Sequence, residues 1–116
     1  MSKALIEQLR AQRTGRVEVA PGKNLLVRRP LGVTEMGRYF SAPTPELFIA
    51  AVVGWDGITQ ADLLGAAVGA SDPAPFSAEL AAEALGDRGD WVGKVGEWLA
   101  QAIKAHVEER AAETKN

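Results

Sequence analysis

The chain has 116 residues, enough for one domain and too few for two, and its 47 % hydrophobic and 24 % charged content is globular rather than disordered. A net charge of −2 gives no electrostatic reason to expect nucleic acid or an acidic membrane surface, and the absence of cysteine excludes disulfides, thiolate zinc sites and thiol nucleophiles. No apolar run reaches the roughly 18 residues of a membrane span, and Met1–Glu7 lacks the continuous apolar stretch of a secretory signal, so the expected compartment is cytoplasmic.

Residues 2–13 read as a short helix with Leu5, Ile6 and Leu9 on one face, too short to stand without packing. Arg16–Ala20 alternates polar and apolar, Pro21-Gly22-Lys23-Asn24 is a turn, and Leu25–Arg29 follows up to Pro30, which together predict a hairpin over 16–29. Arg28-Arg29 reads as solvated strand-end charge. Residues 31–41 are expected to be helical through the Met36, Tyr39, Phe40 stripe. Thr44-Pro45-Glu46 starts a second helix, with a capping Thr, Pro in the first turn and an acid beside it, and that helix is expected to run to Gly54.

The chain is organised around Val53–Leu64. Trp55 stands between Gly54 and Gly57, both read as supplying backbone angles that other residues avoid, and Thr59 with Asp62 resembles a capping pair for a helix over 58–67. Phe76 before Ser77 fits a hydrophobic staple, and Ser77 caps a helix over 78–85. Asp90 then opens the longest helix, whose apolar stripe is Trp91, Val95, Trp98, Leu99, Ala102, Ile103, His106 and Val107. Gly93 and Gly96 lie in its first half and suit close packing. Residues 109–116 form a polar tail expected to fray. The fold class predicted is mostly α, about five to six helices with an N-terminal hairpin, as one domain over 1–116 whose helical body spans 31–108.

No catalytic constellation emerges. His106 is the single histidine and has no partner set for a metal; Glu79 and Glu83 read as a solvated helix face; no nucleophile elbow or phosphate loop occurs. The expectation is therefore a non-enzyme with no cofactor and no metal, which contacts another protein. The residues expected to make that contact are Trp55, Phe76, Trp91, Val95, Trp98 and Ala102, because large aromatics anchor interfaces and a helical stripe can receive an amphipathic helix.

Leu26–Pro30, Val52–Leu64, Ser71–Leu80 and a Trp-bearing acidic last helix, in that order, resemble the tail assembly chaperones of long-tailed bacteriophages and prophages, over roughly residues 25–107. The resemblance implies a mostly helical protein that binds the tail tape-measure protein and assists recruitment of tail-tube protein in the host cytoplasm, with homo-oligomers possible and no nucleic acid or membrane partner. The second reading is a structural head–tail connector or tail completion protein. The family also implies two product lengths through a ribosomal frameshift. Thr114-Lys115-Asn116 can be encoded as a run of A ending in C, so this chain is expected to be the shorter form.

Overall fold

Alternation in Arg16-Val17-Glu18-Val19 sends both valines to one face, and that face becomes the inner one: Val17 and Val19 are buried while their neighbours are exposed. The computed structural model describes residues 2–115, so Met1 and Asn116, at the ends of the expected domain and polar tail, lie outside it. The elements run α1 (Ser2–Gln12), β1 (Thr14–Ala20), β2 (Lys23–Arg28), α2 (Val33–Ser41), α3 (Pro45–Ala50), β3 (Val52–Asp56), α4 (Gln60–Leu64), α5 (Ala78–Leu85) and α6 (Gly89–Lys115).

The expected mostly helical class with a lone hairpin is overturned by β3. The three strands form one antiparallel sheet in the order β1-β2-β3, and with helices against it the domain is α+β. The sequence predicts that Val52 and Val53 continue an apolar helix as far as Gly54, with Trp55 in the turn that follows. A short apolar run is ambiguous by period, and the open edge of β2 decides it: Leu25 pairs with Trp55, Leu26 with Gly54, and Val27 with Val52. The shift between the last two pairs makes Val53 a bulge, and it stands exposed. Gly54 is thus an extended strand residue; a Cβ there would sit 3.0 Å from Leu26 Cδ1. Gly57 does hold a positive φ of 78°, and the Gly22 carbonyl occupies the space a side chain would need.

Local caps follow the sequence closely. Thr44 Oγ1 accepts from the Leu47 N–H at 3.1 Å, and Ser77 Oγ from Leu80 N–H at 3.0 Å. Thr59 and Asp62 form a full capping box. Burial pushes the Asp62 carboxyl upward, but Lys23 Nζ at 2.7 Å and the Thr59 donors outweigh it and hold the group below its usual range. The same Lys23 ties the start of β2 to α4 through Asp62, and its Nζ also donates to Gly57 O at 3.1 Å. The last helix begins at Gly89, so Asp90 lies inside its first turn and not before it. Helix continues through 109–115, where a frayed tail was expected. The i→i+3 pair Arg110–Glu113 at 3.0 Å supports this end.

The core lies between the inner sheet face and α6, with α5 closing one end. Leu25, Val27, Leu85, Val95 and Leu99 are almost completely buried, each worth about 1.5–3 kcal/mol of transfer from water. Gly96 admits the Phe48 ring of α3, whereas Gly93 faces open space. Gly15 on β1 lies directly beneath the Trp98 ring, with no room for a methyl group. Gly15→Ala should destabilise the fold by about 1–3 kcal/mol through overpacking, read as a lower urea midpoint. Adding Trp98→Leu should recover part of the loss; an unchanged midpoint in Gly15→Ala would refute this packing.

Candidate partner-binding groove

The helix α6 has 27 residues and so is about 40 Å long, and its second half outruns the sheet. The last buried residue on it is Ile103; beyond that the helix projects, and the chain measures 57 × 37 × 24 Å. Its Cα radius of gyration is 15.8 Å, against about 13 Å for a compact chain of roughly this length.

Helix α1 runs beside that projecting half without being packed into the core. None of its residues is buried, and Leu5, Ile6 and Leu9 remain 57 %, 44 % and 46 % exposed. Hydrogen bonds at its C-terminal end hold it instead. Thr14 Oγ1 donates to Arg10 O at 2.6 Å, Arg28 Nε donates to Thr14 Oγ1 at 3.1 Å, and the Arg29 N–H donates to Arg13 O at 2.9 Å. Between the two helices lies an open groove of about 710 Å³. Leu9 and Arg13 line one wall, Ala102, Ala105 and Arg110 the other, with Arg29 and Trp98 in the floor.

Of the six residues expected to meet a partner, two belong to this groove. Trp98 is half-buried on Gly15 with one edge in the groove, and Ala102 lies one turn further along. Trp91 and Val95, 5 % and 1 % exposed, are core residues on the same stripe and are corrected to that role: the sheet and α5 already cover them. Arg88 stacks 4.7 Å over the Trp91 ring and closes its remaining side. Trp55 and Phe76 meet each other edge to face at 5.1 Å, and Trp55 Nε1 donates to Ala74 O at 2.8 Å. They fasten the 73–76 segment to β3, away from the groove, and Phe76 thereby serves Trp55 more than the start of α5.

The sequence reading missed the polar half of the groove. Arg29 Nη2 lies 3.1 Å from His106 Nδ1, and Arg29 Nη1 donates to Pro30 O at 3.2 Å. Since guanidinium can only donate, His106 must present Nδ1 as an acceptor and carry its proton on Nε2. Burial, then the positive charges of Arg29 and Arg110, push His106 below its ordinary value of 6.5, against an opposing pull from Glu109. What sequence spacing could not convey is that α6 returns 77 positions later to place His106 there.

Among the described residues no group of three or more His, Asp or Glu side chains could hold a metal ion, and no helix is long and apolar enough to cross a membrane. Comparison with protein-family models, curated proteins and solved structures finds no match to the chain.

His106 is less basic folded than unfolded, so the unfolded chain binds the extra proton first. Stability should therefore fall as pH drops below about 6.5 and level off below the depressed folded value. The unfolding temperature should decline as pH falls from neutral through about 6.5, and less steeply in His106→Asn, whose amide oxygen replaces Nδ1 as acceptor. Identical pH profiles for the two proteins would refute the neutral-histidine assignment.

Proposed function

We propose that the protein is a non-catalytic binding protein that holds an amphipathic helix of a client between α1 and the projecting half of α6. The observation that carries this is the uncovered Leu5, Ile6 and Leu9 face beside a groove whose lining combines Leu9, Trp98, Ala102 and Ala105 with polar side chains. A surface stripe of that kind is normally buried by something, and two helices framing a trough match the shape of a third. The α6 wall of the groove carries two small residues, Ala102 and Ala105, which leave room for a neighbouring helix.

Within this reading, the resemblance to tail assembly chaperones specifies the client as the tape-measure protein of a long-tailed phage, with tail-tube protein as a further partner. A long helical client with many similar segments suits such a site. Each contact can be weak, and repetition along the client raises the overall affinity. The setting is then the host cytoplasm, and the protein leaves before the particle is complete.

Co-expression with the longest helical reading frame encoded downstream of its gene tests both levels. The client should become soluble and co-purify. Leu9→Glu and Ala102→Glu, each placing a charge in the apolar part of the groove, should lower recovery of the complex at least about tenfold with little change in unfolding temperature. Trp98→Ala is a poorer probe because it removes the ring packed on Gly15. A client that stays insoluble, with this chain retained in purified particles, would replace the chaperone reading by a structural one.

A further inference from the structure

The groove carries three arginines against two glutamates, in a chain whose net charge is −2. Arg110 is engaged with Glu113 at 3.0 Å. Arg29 is held by two neutral acceptors, Pro30 O and His106 Nδ1, and Glu109 acts on it only through space. The Arg13 guanidinium has no ion-pair partner among the described residues, and its charge bears directly on Arg29. Two guanidinium groups thus share one concave corner, and among the described residues no carboxylate forms an ion pair with either. Arg29 is also fixed in direction before any partner arrives, through its bonds to Pro30 and His106.

We infer that the helix received by this groove carries carboxylates on the flank that faces Arg13 and Arg29, beside an apolar stripe that faces Leu9, Ala102 and Ala105. This rests on the reading of the groove as a helix-binding site and adds the chemistry of the partner. Arginine forks match carboxylates in two parallel hydrogen bonds, and a prefixed fork loses less freedom on binding than a free one. The mutual repulsion of Arg13 and Arg29 is relieved by an anion between them, whereas a basic or neutral helix leaves it in place. A second copy of this chain fits less well: a twofold contact through the groove would bring the same arginine corner into the interface twice.

The test uses the full chain and two fluorescein-labelled helical peptides of about 20 residues, identical in their Leu/Ala stripe and flanked by Glu in one and Gln in the other. Anisotropy titrations at about 50 mM and about 300 mM NaCl read affinity and its screening. The Glu peptide should bind about tenfold tighter at low salt, and the gap should close as salt rises. Arg13→Gln should remove most of the preference, read as the ratio of the two affinities within that variant; the double variant with Arg29→Gln should remove the rest. Equal affinity for the two peptides, or a preference that survives both substitutions, overturns the acidic partner and leaves the groove reading standing. If neither peptide binds, or Leu9→Glu affects neither, both inferences fall. A concentration-dependent dimer that the peptides cannot displace overturns the proposal in favour of a second copy as occupant.

Discussion

The contact on which the rest of the architecture depends is the seating of the Trp98 ring on Gly15. A β1 residue with any side chain would hold α6 away from the sheet. With glycine there the helix lies close enough to press Val95 and Leu99 against Leu25 and Val27, and all four are almost fully buried. The same crossing fixes where α6 leaves the sheet. Because Trp98 sits nine residues past the start of the helix at Gly89, more than half of α6 lies beyond the crossing, and that overhang forms one wall of the groove. Core packing and the candidate binding surface are therefore consequences of one close approach.

The two walls are built on different physics. The α6 wall is an extension of a helix already anchored by buried leucine and valine. The α1 wall has no buried anchor and depends on hydrogen bonds from Arg28, Arg29 and Thr14 around the α1–β1 junction. Such bonds each contribute about 1 kcal/mol net, less than the burial of one leucine, so α1 is the more weakly held side. Arg29 serves both sides: its backbone N–H fixes the end of α1, and its side chain reaches His106 on α6. The basic corner is where the two walls are joined.

Much of this was legible from residues alone. The hairpin, the capping residues Thr44, Thr59 and Ser77, and the stripe of the last helix all follow from local rules of period and capping; the first helix was expected to pack, and its Leu5, Ile6, Leu9 face stays uncovered instead. The third strand was not, because Val52–Trp55 follows an apolar helix without a break, and only the vacant edge of β2 shows that the run should extend. The site was half legible for a related reason. A helical stripe reveals which residues avoid water, but not which neighbour covers them: Trp91 and Val95 face the sheet, and only Trp98 and Ala102 reach the groove. Arg29 with His106 is a meeting of distant segments that no local rule anticipates.

One further consequence follows from the order of elements. The sheet is complete once residue 56 has been made, but its inner face is covered mainly by α6, which begins at Gly89. At ribosomal speeds of about 5–20 residues per second, Val17, Leu25 and Val27 stay uncovered for several seconds on a growing chain. Two stranded edges and an apolar sheet face in that interval make the protein itself a substrate for nascent-chain holdases, and slow codons between Asp56 and Leu99 would lengthen its exposure.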